Sequence, residues 1–187
     1  MQCLMELVAH GGYDFYIIVA EEGYTTAENR NYIAVQAANN KSDYLLMIDD
    51  DMVFPPDTLD RLLANQKDIC GVAYHSRGSK DKIKRVPGDI MAIAEVDKGK
   101  YINLEKETDP KYKQTFECYA TGTGVILIKC EVFRKVPQPW FEFTYYDNGK
   151  CKEWEDWNFC FKAKKYGYKI YTDPTIEIKH LGEIIYE

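Results

Sequence analysis

The amino-acid sequence predicts an α/β fold with a mixed, mainly parallel sheet flanked by helices. In the first half of the chain, short apolar runs typical of buried strands alternate with longer amphipathic segments. Strand, helix and strand at these spacings indicate right-handed crossovers between parallel strands. The 187 residues are enough for one hydrophobic core, so we expect a single domain over residues 1–187.

The first elements are predicted from local signals in chain order. "FYIIVA" at residues 15–20 is an apolar, β-branched run that suits a buried strand. Thr25 stands three residues before Glu28, the spacing of a capping box, and this predicts a helix through the following alanines. "YLLMI", Tyr44–Ile48, is the next predicted strand, and a double proline after it suits the start of a second helix. A third strand is predicted at 68–74.

The second half of the chain has a different pattern, richer in strands. A long helix is expected from about residue 153 to 166, because Gly167 follows it as a typical helix end. The predicted strands are a hairpin at 89–96 and 100–105, a buried strand at 124–129, an aromatic-rich strand at 140–146, and strands at 168–172 and 175–180.

Composition narrows the range of partners. The net charge of −6 argues against a nucleic-acid partner, because phosphate backbones are bound through clustered Lys and Arg. The six cysteines are scattered without a zinc-type pair or a secreted-type framework, which favours reduced thiols and a cytoplasmic location. No apolar stretch approaches the roughly 18 residues that a membrane span requires, so we expect no span.

Three consecutive aspartates, at residues 49–51, directly follow the strand Tyr44–Ile48. In one interpretation they form a polar loop in which one aspartate makes an Asx turn and another caps the next helix. In the other they bind a hard divalent cation, Mg²⁺ or Mn²⁺, which bridges carboxylates to substrate phosphates. Ligands of parallel α/β sheets gather beyond the carboxyl ends of the strands, where the triplet is expected. This position favours a site.

Two known families place Asp-x-Asp at the end of a strand. "DDDMV" resembles the DxDx[TV] pattern of haloacid-dehalogenase-like phosphatases, which would make Asp49 a nucleophile. That family's nucleophile follows its first core strand, whereas here a strand and a helix come earlier, and its downstream Lys and paired Asp are not evident.

A second resemblance accounts for more of the chain. Five stretches resemble GT-A glycosyltransferases, which have a Rossmann-like fold, and in particular bacterial and phage members related to glycosyltransferase family two. They are "AENRNYIAVQAA", "LLMIDDDMVFPPDTLDRLL", "ATGTGVILIKCEVF", "WEDWNFCFKAKKYGYKIYTDP" and "IKHLG". Their order and spacing agree with the family over nearly the whole chain.

The resemblance implies a metal-dependent transfer of a sugar from a nucleoside-diphosphate donor, a UDP- or GDP-sugar, to a glycan or other hydroxyl acceptor. Mn²⁺ or Mg²⁺ would be the cofactor. The implied metal ligands are Asp51 and His180, and the implied catalytic pair is Glu155 and Asp156, with Asp156 as base. The implied donor-binding residues are Asp49, Asp50, Arg30 and Tyr74, and the implied acceptor or sugar contacts are Gly122, Thr123, Gly124 and Trp154.

Structural explanations remain open for several of these residues. His180 also suits the end of an edge strand, and Arg30 also suits a solvated position on a helix. The carboxylates of Glu155 and Asp156 are favoured at a helix start by the helix dipole alone, by roughly 0.3 to 1 kcal/mol. The glycines at 122 and 124 could serve only a turn.

The amino end departs from the family. Related enzymes begin with an apolar strand, whereas "MQCLMELVAHGG" predicts the helix that follows such a strand. An alternative function is therefore a catalytically degenerate module that binds the nucleotide sugar. A missing strand would also leave a sheet edge exposed, and dimerisation of two copies across that edge is a further expectation.

Overall fold

The structure is a computed structural model that describes residues 2–20, 22–75, 92–97, 100–103 and 113–181. The helices in these ranges are α1 (Gln2–His10), α2 (Thr26–Asn39), α3 (Thr58–Ala64), α4 (Cys130–Lys135) and α5 (Glu155–Lys165). The strands are β1 (Tyr44–Ile48), β2 (Met52–Val53), β3 (Ile69–Val72), β4 (Ala92–Asp97), β5 (Lys100–Asn103), β6 (Phe116–Cys118), β7 (Ala120–Thr121), β8 (Val125–Lys129), β9 (Thr144–Tyr145), β10 (Cys151–Glu153), β11 (Ile170–Asp173) and β12 (Lys179–His180).

The central sheet has five strands in the order β1-β8-β3-β11-β6. β8 is antiparallel to both of its neighbours, β6 is antiparallel to β11, and β3 and β11 form a parallel pair. The predicted mainly parallel sheet is therefore wrong: the fold is mixed α/β with mostly antiparallel pairing. β1, β3 and β11 do run in the same direction, but β8 is inserted between β1 and β3 and separates them.

Helices cover both faces of this sheet, as predicted. β8 is buried throughout its first four residues, and successive side chains point to opposite faces. Ile126 and Ile128 belong to a core cluster that includes residues of α2, α4 and α5. Val125 and Leu127 belong to a second cluster, which includes residues of α1 and α3. β8 is thus buried on both faces, which explains why its sequence is apolar without alternation.

Helix α2 begins as the sequence predicts. The Thr25 hydroxyl accepts a hydrogen bond from the Glu28 N–H at 3.3 Å, and the Glu28 carboxylate accepts one from the Thr25 N–H at 2.8 Å. This reciprocal pair is a capping box, which satisfies two backbone donors that a helix start leaves without partners. The cap fixes the start of the helix that carries Arg30.

The strand predicted at residues 15–20 is not formed. This segment is irregular, and the side chains of Tyr16, Ile17 and Val19 are 59%, 56% and 78% exposed. An apolar pattern supplies only the side chains of a strand, whereas a strand also needs a neighbouring backbone with which to pair. Within the described residues no strand pairs with this segment.

The predicted aromatic strand at 140–146 is also shorter than expected, since only β9 forms and pairs with β10. The Asn31 side chain explains the loss, because its carbonyl oxygen accepts from the N–H groups of Trp140 and Phe141 at 2.9 and 3.1 Å. Those donors are therefore not available to a strand. The segment predicted at 175–180 likewise retains only β12.

Other predictions agree where the structure describes them. The hairpin is present as β4 and β5, which pair antiparallel, while the outer parts of its predicted strands at 89–91 and 104–105 lie outside the described residues. Gly167 has a positive φ of 87° just beyond α5, as a helix-ending glycine should. In the described part of the chain, no helix is long and apolar enough to cross a membrane. All six cysteines are free thiols.

Candidate functional site

Several predicted site residues come together at one end of the central sheet. β8 runs antiparallel to β1 and β3, so its first residues lie beside the carboxyl ends of those two strands. The Asp49 N–H donates to the Gly124 carbonyl at 2.9 Å, which joins the aspartate triplet to the glycine-flanked segment. Tyr74 lies just beyond β3 and accepts a hydrogen bond from the Gly124 N–H at 3.0 Å. This end of the sheet is where the family resemblance predicts that the nucleotide-sugar donor binds.

Asp51 and His180 lie side by side, although 129 residues separate them along the chain. The two-residue ladder of β2 and β12 places His180 opposite Met52, and the Leu181 N–H donates to the Asp51 carbonyl at 2.8 Å. The His180 Nε2 is 3.1 Å from the Asp51 Oδ2, and both side chains are largely buried. The ladder thus delivers the imidazole to the end of the acid triplet.

The hydrogen bond of the His180 Nδ1 determines what kind of partner the Nε2 atom can take. Nδ1 lies 3.1 Å from the His75 carbonyl, which can only accept a hydrogen bond, so Nδ1 carries a proton. In a neutral ring Nε2 then presents a lone pair toward the Asp51 carboxylate. Two facing lone pairs repel each other, and either a proton on Nε2 or a cation between the two groups removes that repulsion.

The donor set of Asp51 and His180 fits a divalent cation. An octahedral ion held at about 2.1 Å from each ligand places neighbouring ligand atoms about 3 Å apart, close to the observed 3.1 Å. In the described part of the chain, no group of three or more His, Cys, Asp or Glu side chains could hold a metal. A cation at this pair would therefore need further oxygen ligands from water or from a bound phosphate.

Arg30 occupies the space between two acidic residues from different elements. Its Nη2 donates to both carboxylate oxygens of Asp49, at 3.0 and 3.1 Å, and its Nη1 donates to the Glu155 carboxylate. Burial by itself would lower the pKa of Arg30, but the charges of Asp49, Glu155 and Asp156 outweigh it and raise that pKa. Arg30 is only 8% exposed, and both terminal nitrogens of its guanidinium donate to carboxylates.

Asp156 is buried next to this ion pair, with 7% of its surface exposed. Burial, followed by the neighbouring charge of Glu155, raises the pKa of Asp156 to about 6, while Arg30 and the Trp157 N–H act in the opposite direction. The Trp157 N–H donates to Oδ1 at 2.7 Å. A carboxylate that titrates near neutral pH is suited to take a proton from a hydroxyl group.

Tyr74 and Gly124 fit each other closely. A Cβ on Gly124 would overlap the Met52 methyl carbon and lie 2.6 Å from the Tyr74 hydroxyl, so any larger residue would have to displace these side chains. The Tyr74 ring also meets the His180 ring edge to face, with 5.6 Å between centroids. Burial, followed by the charge of Asp49, raises the pKa of the Tyr74 hydroxyl, which therefore remains protonated. Tyr74 thus packs against the imidazole ring that lies beside Asp51.

The remaining predicted residues divide into exposed and buried ones. Asp50 is exposed at the tip of the triplet, and Trp154 is 60% exposed with its ring against Phe143. Gly122 and Thr123 are buried, and the Thr123 hydroxyl has no hydrogen-bond partner among the described residues. Contact of these four residues with donor or acceptor stays a prediction.

Two features of the site were not predicted from the sequence. The backbone carbonyl of His75 orients the His180 ring, and a carbonyl has no signature in a sequence. Asn31 joins α2 to the 140–141 segment, with its amide nitrogen donating to the Phe141 carbonyl at 2.6 Å in addition to the two bonds that it accepts. The Arg-Asn pair in "AENRNYIAVQAA" was the available signal for this second contact.

A scan against models of protein families and a search of curated proteins find no match. Among solved structures the chain is similar to A197 from STIV, with a TM-score of 0.61 and 18% sequence identity. The likeness covers 97% of this chain and 79% of that chain. At this identity the two share a fold, and no activity follows from the likeness.

Proposed function

We propose that this protein is a metal-dependent glycosyltransferase of the GT-A type, which moves a sugar from a nucleoside-diphosphate donor to a hydroxyl acceptor. The observation that carries the proposal is the 3.1 Å contact between Asp51 and His180 at the carboxyl end of β1. A carboxylate and an imidazole with this spacing, at the sheet end where ligands of α/β folds collect, suit a cation that neutralises a diphosphate.

Asp51 and His180 would hold Mn²⁺ or Mg²⁺, which supplies positive charge to a departing diphosphate. A protein with a net charge of −6 and an acidic site otherwise repels such a donor. Asp50, the residue before Asp51, is exposed and would contact the donor. The buried ring of Tyr74 packs against the imidazole ring of His180.

Asp156 is the proposed base for the acceptor hydroxyl. Its Oδ1 is occupied by the Trp157 N–H, so its Oδ2 is the oxygen that would accept the proton. The exposed ring of Trp154, two residues earlier, offers an apolar surface on which an acceptor sugar can stack.

Because the pKa of Asp156 is about 6, this carboxyl group already carries a proton at pH values well below 6 and cannot act as a base there. Sugar transfer should fail at those pH values.

Thermal shift measurements with Mn²⁺, Mg²⁺ and a panel of UDP- and GDP-sugars test the proposal. We expect the divalent ion and the nucleotide sugar to raise the melting temperature together by more than the sum of their separate effects, because each supplies ligands that the other needs. A sugar-transfer assay on the best pair then separates an enzyme from a module that binds without turnover. The absence of any joint stabilisation would contradict both functions.

Asp51→Asn tests the metal ligand directly. The amide cannot supply the charge of a carboxylate, so we expect the affinity for Mn²⁺ to fall at least about 10-fold. Substitution of residues that only support a metal ligand typically lowers metal affinity by about that factor. Calorimetric titration with Mn²⁺ in the presence of UDP measures this affinity. Asp14→Asn makes the same chemical change at an exposed position and should leave the affinity unchanged. Equal affinities in the two variants would count against the site.

The geometry favours the transferase over a phosphatase with Asp49 as nucleophile. Both oxygens of the Asp49 carboxylate accept hydrogen bonds from Arg30. A nucleophilic carboxylate needs one oxygen aimed at the substrate phosphorus. Trapping of phosphate on Asp49 by a simple phosphate ester would reverse this preference.

A further inference from the structure

We propose that Arg30 is a positioning residue that joins the metal-binding end of β1 to the catalytic start of α5 through Asp49 and Glu155. This inference rests on the proposed function, since it assigns Arg30 a task within the same site. Arg30 would act on the reaction through these two carboxylates and not by touching the donor, which differs from the donor contact that the sequence suggested.

The first argument is the geometry of the guanidinium. One terminal nitrogen spans both oxygens of Asp49, which follows β1, and the other donates to Glu155, the first residue of α5. Arg30 itself lies on α2, so one side chain connects three elements. Its fork of fixed N–H groups holds two carboxylates at a defined separation, which a lysine ammonium cannot do.

The second argument is burial. The side chains of Arg30 and Glu155 are 10% and 7% exposed, whereas surface ion pairs are mostly solvated and contribute little. In a poorly solvated setting each charge depends on its partner, because loss of one partner leaves the other buried without compensation. Separating Arg30 from Glu155 is therefore costly in free energy.

The third argument is that α2, the helix that carries Arg30, is itself held in place. We call the contact of Arg30 with Asp49 and Glu155 the clamp. Asn31, the next residue on α2, makes three hydrogen bonds to the backbone of residues 140–141. The capping box at Thr25 fixes the beginning of the same helix. Arg30 thus extends from a helix that is tied at both its cap and its flank, as a rigid support for a site requires.

The charge of Arg30 also affects the pKa of Asp156, the residue after Glu155. Within the described residues, the charged and titratable groups that interact with this carboxyl include Glu155 and Cys160 on its own helix, Arg30 on α2 and Tyr74 beyond β3. Among these only Arg30 brings positive charge, and it lowers the pKa of Asp156 against burial. Removal of Arg30 should therefore raise that pKa.

The test compares Arg30→Gln and Arg30→Lys with the matched control Arg134→Gln, which changes an exposed arginine at the end of α4. In carbon-detected NMR, Arg30→Gln should move the titration midpoint of the Asp156 carboxyl upward by about one pH unit and shift the amide signals at the start of α5. Arg30→Lys keeps the charge, so its midpoint should stay near the wild-type value. The control should change neither.

Kinetics then separate positioning from donor binding. Both Arg30 variants should lower kcat for sugar transfer at least about 10-fold, as a misplaced catalytic group does, while KM for the donor stays within about threefold. A full kcat in Arg30→Lys, or a loss that appears in donor KM alone, would overturn the proposal. The NMR result is independent of turnover. If the protein transfers no sugar, the proposed function fails. The role of Arg30 can then still be tested by NMR: it is refuted if Arg30→Gln changes neither the titration midpoint of Asp156 nor the amide signals of α5.

Discussion

Gly124 illustrates how a single missing Cβ shapes the site. The residue stands at the start of β8, its carbonyl accepts from Asp49, and its N–H donates to the Tyr74 hydroxyl. Its backbone can approach the Tyr74 ring and the Met52 methyl because no side chain lies between them. The glycine thus brings β8, the acid triplet and the tyrosine beside His180 into direct contact.

Gly124→Ala should therefore destabilise the fold and disturb the site together. The new methyl would overlap Met52 and Tyr74, and overpacking of this kind costs about 1 to 3 kcal/mol. We expect urea unfolding to show that loss, together with weaker Mn²⁺ binding in the presence of UDP. Gly12→Ala is the matched control, since nothing lies within 4 Å of the added Cβ, and it should change the free energy of unfolding by no more than about 0.5 kcal/mol. Equal effects of the two substitutions would contradict the close fit.

At the scale of elements, α2 is the helix on which the site depends most. Thr25→Ala removes the hydroxyl that caps the Glu28 N–H, and loss of such a cap typically costs about 1 kcal/mol of stability. Thr26→Ala changes the neighbouring exposed threonine, inside the first turn, and should have almost no effect. Thermal unfolding of the two variants measures the difference. A smaller loss for Thr25→Ala than for Thr26→Ala would show that the box does not hold the helix.

The elements that the sequence predicts well are those with a signal inside their own residues. The capping box marks the beginning of α2, five apolar residues form β1, and the positive φ of Gly167 follows α5. The segment at 15–20 has an equally apolar run and is irregular. Strand formation depends on a partner backbone, and a local pattern contains no information about that partner.

At the scale of the whole molecule, Asp156 links stability to pH. Its pKa rises from an ordinary 3.8 to about 6 on folding, so between these values the folded protein binds more protons than the unfolded chain. Stability from this group is present below about pH 4 and is lost as pH rises through 6, by at most about 3 kcal/mol. Asp173 acts in the opposite sense, because hydrogen bonds from Thr175 and Asn65 outweigh burial and lower its pKa.

A comparison with Asp156→Asn isolates this contribution. The amide does not titrate, so the free energy of unfolding of the wild type minus that of Asp156→Asn should fall between pH 4 and pH 6.5 and then level off. Urea unfolding across this range gives the difference, and Asp147→Asn, which makes the same chemical change at an exposed hairpin turn, is the matched control. A wild-type difference that rises with pH would mean that Asp156 is stabilised in its charged form.

The order of the strands could not be predicted from their sequences. β8 was expected as a strand, yet its insertion between β1 and β3 depends on contacts between segments about 80 and 55 residues apart. The proximity of Asp51 and His180 was expected from the family resemblance and not from any pattern in the residues. The pairing of Arg30 with Asp49 and Glu155 needed coordinates, because a charge pattern does not say which partners meet.

β1 forms one end of the strand order in the described sheet, and it has no proline and no charge. Such an edge is a template for a further strand, and the expected dimer across it stays a prediction. Antiparallel pairing of β1 with its own copy, centred on Leu46, would set Asp43 opposite the partner's Asp49. Like charges directly opposite each other destabilise a strand pair, so this register is disfavoured.

His180 stands beside the acid triplet on β12, a two-residue strand that pairs with β2 outside the five-stranded sheet. Proteolytic cleavage ahead of Lys179 would therefore remove the imidazole and leave every strand of that sheet intact. Because the strands of that sheet and the described helices end before residue 179, we expect the shortened chain to retain its circular dichroism spectrum. If the proposed cation site is correct, a preparation trimmed in this way would keep its fold and bind Mn²⁺ more weakly, so its mass has to be measured before a lack of activity is interpreted.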